Sequence, residues 1–333
     1  MKNEKSVGVI IGGAGNIGKS IIRTLNGRKG VKIVAVVDTY EPLVGKDAGE
    51  VAGIEKIGLP ITNDLNAAYH NSDADVVICV TKPCTDAEMY EIVKPAIDCG
   101  LNVLVPNMAT CNLWYTNPEL AKEIDQHCKE KGVSYAGIGS TQCLERQIIA
   151  MTEGNTEIES IQFSRFADVH AFPLEGCKLE FGLSYNEKDF WAAVENGDIN
   201  DQSSLGNDIG YLADKLGWQI EKQTYEQKPI LDDSGIVIGV EYTCQGYADG
   251  VMRLETKWTF ILDEERRYFD RIVINGHSSA DITLKYSPDR GVLSTSGSIV
   301  NAIPAIIKVE SGYISTLDLP ICNFQAGEYW KHI

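Results

Sequence analysis

The chain has 333 residues, of which 47 are acidic and 30 basic, giving a formal net charge of -17. Hydrophobic residues make up 44% and charged residues 23%, as in ordinary globular proteins, which excludes a wholly disordered chain. The length is sufficient for two domains. The excess of negative charge argues against nucleic acid or an anionic membrane surface as a partner.

The nine cysteines are scattered and form no Cys-x-x-Cys pair. An odd number without that spacing predicts reduced thiols rather than a disulfide framework or a thiolate zinc site. Four of the five histidines, at 70, 127, 277 and 332, show no metal-ligand spacing, so no metal is expected. No apolar run reaches the length of a spanning helix, and the first residues lead into a strand pattern without a secretory signal. We therefore expect a cytoplasmic protein.

The first 140 residues alternate short β-branched runs with helical stretches, a pattern typical of parallel strands buried on both faces. The predicted strands cover 7–11, 31–37, 74–81, 102–105 and 133–138, and the predicted helices cover 16–25, 86–99 and 118–131. Asn117 and Pro118 begin the last helix as a cap followed by proline. Repeated strand–helix–strand units predict an α/β fold, a doubly wound Rossmann domain over residues 1–145.

Longer extended runs follow, which predict a second, α+β domain over residues 146–296. Its predicted strands cover 159–169, 236–245, 252–262 and 281–286, and its predicted helices cover 187–196 and 207–216. A further helix is predicted over 298–309. We expect residues 297–333, which contain this helix and the tail, to pack back on the first domain.

A glycine-rich segment, Gly-Gly-Ala-Gly-Asn-Ile-Gly at 12–18, lies between the first predicted strand and the first predicted helix. In this G-x-G-x-x-G pattern Gly13 permits a tight turn, Gly15 lets the backbone approach a pyrophosphate, and Gly18 lets the helix pack closely on the strand. The alternative interpretation is a glycine turn with no ligand. The strand–helix context favours dinucleotide binding, with predicted contacts from Gly13, Ala14, Gly15, Asn16, Ile17 and Gly18.

Asp38 ends the next strand, twenty residues after Gly18, where a carboxylate that binds ribose hydroxyls belongs. A carboxylate there repels a 2′-phosphate and no arginine follows closely, which favours NAD over NADP, whereas Lys46 leaves NADP open. Polar residues beside Asp38 and at the carboxyl ends of later strands complete the predicted cofactor site: Thr39, Thr81, Lys82 and Asn107. At Thr81 a plain strand-to-helix turn is the alternative.

Several longer segments resemble one enzyme family over nearly the whole chain: the glycine loop, 44–50, 117–125, 301–304 and 317–320. They are similar to the 2,4-diaminopentanoate dehydrogenases and their relatives, the native amine dehydrogenases. The resemblance implies an N-terminal Rossmann domain, a C-terminal domain of the dihydrodipicolinate-reductase kind and a homodimer. It also implies NAD(P)-dependent interconversion of an amine with a ketone plus ammonia.

Two loops depart from the family pattern. Where the family has an acidic pair after the strand at 102–105, this chain has Met108 and Ala109. The family's Asn-Pro-Gly-Phe stretch is replaced by residues 139–144, which include Thr141. We predict that Met108, Ala109 and Thr141 line the substrate site. Asn301, at a position that matches the family, is a fourth candidate, with helix capping before Pro304 as the alternative.

Reductive amination needs an acid/base group near the hydride acceptor, and Met108 and Ala109 cannot supply one. The replacement candidates are Asp168, His170, Tyr115, Asn207 and Asp208. Strand alternation predicts Asp168 and His170 on one face, and histidine exchanges a proton near neutral pH. The alternatives are a surface histidine, an Asp208 that serves only as a first-turn helix acid, and a Tyr115 that packs beside Trp114. Cys111 and Cys143 lie in the divergent loops and are more simply read as buried thiols.

The leading hypothesis is an NAD(P)-dependent oxidoreductase that transfers hydride at a C–N centre of a small molecule. A reductase of a carbonyl or an activated C=C bond is the nearest alternative, because the missing carboxylates would leave a drier pocket. A non-catalytic NAD(H)-binding sensor is the alternative of another class.

Overall fold

The computed structural model describes residues 6–81, 84–107, 110–199, 203–287 and 290–332. It divides into two compact units. The first unit runs to Cys143 and resumes at Gly291, and the second spans Leu144–Arg290. The chain therefore leaves the first unit once and returns to complete it.

The helices are α1 (Asn16–Asn26), α2 (Ala48–Ala52), α3 (Leu65–Asn71), α4 (Asp86–Asp98), α5 (Leu113–Thr116), α6 (Pro118–Lys131), α7 (Ser140–Met151), α8 (Leu174–Phe181), α9 (Glu187–Asn196), α10 (Asn207–Leu216) and α11 (Arg290–Lys308). The strands are β1 (Val7–Gly12), β2 (Val31–Val37), β3 (Val76–Cys79), β4 (Asn102–Val105), β5 (Ser134–Gly137), β6 (Ile158–Asp168), β7 (Lys222–Leu231), β8 (Val237–Ala248), β9 (Val251–Ile261), β10 (Tyr268–Gly276), β11 (Ala280–Tyr286) and β12 (Gly312–Ile314).

Local signals account for the elements that the sequence predicted well. The bounds of α6, α9 and α10 are those predicted. In α6 the Asn117 side chain accepts from the Leu120 amide, Pro118 occupies the first turn, and Gly132 ends the helix with a φ of 72°. Left-handed glycines at 197 and 217 end α9 and α10 in the same way.

Other elements were missed or misplaced, each for a physical reason. The edge strand β7 exposes most of its polar side chains, so it shows no apolar alternation. In β10 the charged Asp270 occupies an inward position and interrupts the pattern. α7 begins at Ser140, in a segment expected to be a loop, and α11 begins at 290 rather than 298.

The first unit is a doubly wound parallel sheet in the order β12-β5-β4-β3-β1-β2, which confirms the predicted fold class. One core lies on the side of α1 and α11 and contains Ile21, Ile22 and Ile303, all with no exposed surface. The other lies on the side of α4 and α6 and contains Val93 and Ile124. Helices on both faces explain why these strands read as continuous apolar runs.

The glycine loop lies where the strand order of this sheet reverses. β1 pairs with β2 on one side and β3 on the other, and the loop follows β1 directly. In open α/β sheets, ligands bind at the carboxyl ends of the strands at this switch point. The fold therefore places the predicted cofactor loop at a ligand-binding position.

The second unit contains a six-stranded sheet in the order β11-β10-β6-β9-β8-β7. The neighbouring strands are antiparallel except for β6 and β9, which are parallel. Strand β6 buries alternate residues, among them Phe163, Arg165 and Ala167. An arginine on this buried face requires an internal partner, and that partner belongs to the polar network described below.

Candidate active site

The three motif glycines have three different surroundings. Gly13 has a φ of 109°, and a Cβ there would lie 2.5 Å from the Val80 carbonyl oxygen. A Cβ on Gly18 would lie 2.0 Å from the Gly13 carbonyl oxygen, so this position requires glycine for packing. A Cβ on Gly15 would meet no protein atom within 4 Å. Gly13 and Gly18 therefore shape the loop, whereas the missing side chain of Gly15 leaves space for a ligand.

The N-terminus of α1 is suited to an anion. Gly15 is its cap residue, no side chain caps the helix, and the first turn contains no acidic residue. Gly15 and Asn16 are exposed, and Ile17 is half-buried. Uncapped N–H groups at a helix N-terminus, beside open space, fit the pyrophosphate of a dinucleotide.

Asp38 contacts the glycine loop. Its Oδ2 accepts from the Ala14 amide at 2.6 Å, and its Oδ1 accepts from the Tyr40 amide at 2.8 Å. Each carboxylate oxygen can accept a second hydrogen bond, so ribose hydroxyls can still be bound. Thr39, which lies between Asp38 and Tyr40 in the chain, is exposed.

The ends of β3 and β4 lie in the same unit as this loop. The Val80 amide donates to the Gly12 carbonyl at 2.7 Å, which brings Thr81 close to the glycine loop. Just after β4, the side-chain Nδ2 of Asn107 donates to the Cys84 backbone carbonyl at 2.7 Å. Lys82, Met108 and Ala109 lie outside the described residues.

The remaining candidates of the first unit differ in environment. Thr141 is buried at the start of α7, and Tyr115 is 46% exposed on the short helix α5. Asn301 lies inside α11 with its Oδ1 3.5 Å from the Tyr329 hydroxyl, so the capping alternative for Asn301 is wrong. Cys111 is buried and donates its thiol to the Asn107 carbonyl at 3.3 Å.

Asp168 and His170 contact each other in the second unit. The strand prediction is wrong for His170: β6 ends at Asp168 and His170 lies in the following turn, but its Nδ1 hydrogen-bonds Asp168 Oδ1. Asp168 is buried, and its other oxygen lies 2.8 Å from Arg266 Nε. The His170 side chain is 35% exposed. A buried carboxylate that orients a partly exposed imidazole is a recurring acid/base arrangement.

Asp208 lies in the first turn of α10, as the sequence predicted, and its side chain is buried. It is 1% exposed on α10, beside Glu145 of α7, which is also 1% exposed. Among the described residues no group donates a hydrogen bond to either carboxyl, and the two carboxyls lie close enough for each to affect the pKa of the other. Burial raises the pKa of Asp208 well above its usual value, and the neighbouring Glu145 raises it further. Burial also raises the pKa of Glu145, so the pair retains a proton.

A buried ion pair lies close to these carboxyls. The Arg165 guanidinium donates to Asp270 through Nε at 2.7 Å and Nη2 at 2.9 Å, and both side chains are buried. Arg165 also attracts Glu145 and Asp208, which partly opposes the rise in their pKa values. Asn207, which precedes Asp208, is half-buried.

Sequence reasoning missed Glu145, Arg165 and Asp270. A charged residue at an inward position of an alternating strand signals a buried pair, and Arg165 between Phe163 and Ala167 meets that description.

In the described part of the chain no group of His, Cys, Asp and Glu side chains could hold a metal ion. Nor does any helix in those ranges combine the length and apolarity needed to cross a membrane.

Comparison with known proteins gives a consistent result along the chain. The family model of the 2,4-diaminopentanoate dehydrogenase C-terminal domain matches residues 142–333, more than half of the chain. The model of the dihydrodipicolinate reductase N-terminus matches residues 7–110. The 2,4-diaminopentanoate dehydrogenase of Acetoanaerobium sticklandii is 28% identical over 353 residues, covering 98% of this chain and 96% of the relative.

More distant matches support the fold. The 4-hydroxy-tetrahydrodipicolinate reductase of Rhizobium rhizogenes is 38% identical over 90 residues, 26% of this chain and 32% of the relative. The amine dehydrogenase structure from Mycobacterium smegmatis aligns with a TM-score of 0.80 at 17% identity, covering 96% of this chain and 98% of that one. A putative myo-inositol dehydrogenase from Sinorhizobium meliloti aligns with a TM-score of 0.56 at 15% identity, covering 91% and 90%.

The geometry of the glycine loop, Asp38 and the sheet order is compatible with a bound dinucleotide, and the matched models extend over both units. The chain belongs to the 2,4-diaminopentanoate dehydrogenase family and is an NAD(P)-dependent oxidoreductase that acts on a small molecule.

Proposed function

We propose that this protein interconverts a small amine with the corresponding ketone and ammonia, using NAD in preference to NADP. The observation that carries the proposal is the relationship to 2,4-diaminopentanoate dehydrogenase, which extends over 98% of the chain and is not confined to the glycine loop. The loop itself supports nucleotide binding, because Gly15 and the uncapped N-terminus of α1 leave room and donors for phosphates.

The proposed reaction balances as follows. A substrate ammonium group loses a proton, and the carbon that bears it loses a hydride, which gives an iminium ion. Water adds to that carbon, and ammonium leaves as the ketone forms. Bound NAD+ supplies the hydride acceptor. In total one protonated amine, one NAD+ and one water give one ketone, one ammonium ion, one NADH and one proton.

The coenzyme preference rests on Asp38. Its carboxylate is held by the amides of Ala14 and Tyr40 at 2.6 and 2.8 Å, which fixes a negative charge beside the glycine loop. Ribose hydroxyls can donate to that carboxylate, whereas a 2′-phosphate would be repelled. Lys46 is exposed on a flexible side chain. Its single positive charge does not cancel the repulsion between the fixed Asp38 carboxylate and a 2′-phosphate.

For the proton step we propose His170, oriented by Asp168. Because Nδ1 hydrogen-bonds the buried carboxylate, Nε2 is the ring nitrogen that exchanges a proton with substrate. Asp168 is itself held by Arg266 at 2.8 Å and by the Asp263 amide at 3.1 Å, so it keeps the His170 ring in one orientation. The Glu145–Asp208 pair, in contrast, is only 1% exposed at each residue.

The proposal is tested by measuring NADH and NADPH oxidation with a panel of small ketones, cyclic imines and enones, with and without excess ammonium. We expect turnover of at least one ketone that requires ammonium, with NADH preferred. Ketone or enone reduction that is indifferent to ammonium would contradict the C–N assignment. A reductase of a carbonyl or C=C bond is therefore the second candidate function. It is favoured by Met108 and Ala109, which stand where the family has acidic residues.

Saturable NADH binding without turnover would instead support a non-catalytic NAD(H)-binding sensor.

Homodimerisation and a cytoplasmic location stay predictions of the sequence and of the family resemblance. Sedimentation of the purified chain at several concentrations tests the dimer directly, because a two-fold assembly dissociates on dilution.

A further inference from the structure

Residues at the carboxyl end of β4 are held by a segment that follows about 200 positions later in the chain. These residues are Asn107 and 110–113, which together form the β4 loop. The holding residues are Tyr313 in β12 and Thr316 just after it. All of these residues belong to the first unit, whose sheet β12 completes beside β5.

Tyr313 holds the β4 loop from one side with its hydroxyl group. The hydroxyl donates to the Thr110 carbonyl at 2.9 Å and accepts from the Leu113 amide at 2.8 Å. The side chain is 3% exposed, and its ring packs edge-on against Trp114 at 5.9 Å between centroids. A single phenol oxygen therefore bridges two backbone groups of the loop.

Thr316 holds the same loop from its backbone and its side chain. Its amide donates to the Cys111 carbonyl at 2.9 Å, and its hydroxyl lies 3.1 Å from that carbonyl oxygen. The hydroxyl also hydrogen-bonds the Gly137 carbonyl at the end of β5. Thr316 is 1% exposed, so no solvent competes for these groups.

The β4 loop transmits this restraint to Asn107. The Thr110 amide and hydroxyl both donate to the Asn107 carbonyl, at 3.1 and 2.8 Å. The Cys111 thiol donates to the same carbonyl at 3.3 Å. Any displacement of Thr110 or Cys111 therefore moves Asn107, which lies at the ligand-binding edge of the sheet.

We propose that Tyr313 and Thr316 are positioning residues for hydride transfer, acting through the β4 loop. The proposal rests on the proposed function, because it takes the end of β4 as part of the substrate site. Local side-chain support from a distant strand keeps a ligand-binding loop in one geometry, and misplacement by about 1 Å can lower turnover about a hundredfold.

The test compares Tyr313→Phe and Thr316→Val with Thr316→Ser and a matched control, Tyr69→Phe. Tyr69 is buried in the first unit and its hydroxyl has no hydrogen-bond partner within the described residues, so its loss should change nothing in the β4 loop. Two quantities are measured on the full chain: amide hydrogen exchange of peptides covering 106–116, and kcat and KM for substrate and for NADH.

We expect exchange of the Leu113 amide to rise about fivefold in Tyr313→Phe, because one hydrogen bond of ordinary strength is lost. We expect kcat/KM for the substrate to fall about tenfold in Tyr313→Phe and Thr316→Val, with KM for NADH within about twofold of the wild type. Thr316→Ser, which keeps the hydroxyl, should restore most of the loss.

The inference is overturned if Tyr313→Phe and Thr316→Val match Tyr69→Phe in turnover. Failure of the proposed function gives a different result: the wild type shows no ammonium-dependent turnover while the exchange difference between Tyr313→Phe and Tyr69→Phe persists. In that case the turnover of the same variants is compared with ketones and enones whose reduction does not need ammonium. Turnover equal to that of Tyr69→Phe would overturn the positioning role. So would the absence of turnover with every substrate.

Discussion

At its glycine loop the first unit leaves polar groups open to a ligand, whereas the second unit seals the carboxyl groups of Glu145, Asp208 and Asp270 inside. Around Gly15 there is space and an uncapped helix N-terminus. Asp208 is 1% exposed, and within the described ranges its carboxyl oxygens have no hydrogen-bond donor. Polar groups that are open are expected to affect binding, and polar groups that are sealed are expected to affect stability.

His170 is the exception in the second unit, because its side chain is partly exposed while its partner Asp168 is buried. Substitutions can therefore distinguish three kinds of side-chain pair. They are the buried ion pair Arg165–Asp270, the partly exposed pair Asp168–His170, and the buried carboxyl pair Glu145–Asp208.

The largest effect is expected for Asp270→Asn. The variant leaves the buried Arg165 guanidinium without its charged partner and should lower the free energy of unfolding by about 3–5 kcal/mol, measured by urea denaturation. Asp281→Asn is the matched control, because Asp281 pairs with Arg271 in the same bidentate geometry but on the surface. It should leave the unfolding midpoint almost unchanged. Equal effects of the two substitutions would mean that burial does not distinguish the pairs.

The next effect concerns activity rather than stability. His170→Gln should lower kcat/KM about a hundredfold if His170 performs the proton step, with the unfolding midpoint retained. His277→Gln is the control, since His277 is an exposed histidine of the same unit paired with Glu157. Wild-type turnover in His170→Gln would remove His170 from the mechanism and return attention to Tyr115.

Two substitutions in the glycine loop should separate binding from folding. Gly18→Ala places a Cβ 2.0 Å from the Gly13 carbonyl oxygen. It should lower the free energy of unfolding by about 1–3 kcal/mol because the helix must shift. Gly15→Ala meets no protein atom within 4 Å at a φ of -72°, so the unfolding midpoint should be retained.

In Gly15→Ala the dissociation constant of NADH, measured by fluorescence titration, should instead rise about tenfold or more, which corresponds to about 1.4 kcal/mol. Loss of stability in Gly15→Ala, or unaltered NADH affinity, would show that this glycine does not face the ligand.

The smallest effect is a change in pH dependence. In the folded state the pKa values of Asp208 and Glu145 are raised above their ordinary 3.8 and 4.5, so the fold stays protonated where the unfolded chain is ionised. The free energy of unfolding therefore falls as the pH rises above these ordinary values. Asp208→Asn should make this fall smaller, as measured by urea denaturation at a series of pH values above the ordinary pKa values of the two carboxyls.

Asp281→Asn again provides the control, because hydrogen bonding to Arg271 lowers the pKa of Asp281 and its titration ends below this range. A pH profile of Asp208→Asn that coincides with the wild-type profile would indicate that the pair ionises normally and is hydrated.

Features set by neighbouring residues could be predicted from the sequence. The turn at Gly13, the open position at Gly15 and the carboxylate of Asp38 follow from spacing within one strand–helix–strand unit. The caps of α6, including Asn117 and Gly132, follow from residues within one turn of the helix. Such features depend on backbone dihedral angles and hydrogen bonds that form over short sequence distances.

Features that join distant parts of the chain could not be predicted. Glu145 and Asp208 meet because α7 and α10 pack in one unit, and neither residue belongs to a local motif. Asp168 and His170 were paired by strand alternation, yet their contact forms through a turn.

By itself the sequence determined the doubly wound sheet, the glycine loop with Asp38 at the end of the next strand, and the helices with clear caps, since periodicity and local hydrogen bonding specify them. The tertiary structure decided which carboxyls are sealed, which histidine has a buried partner, and that Tyr313 and Thr316 hold the β4 loop. The physical reason is that burial and hydrogen bonding across about 200 residues depend on packing, which no short stretch of sequence encodes.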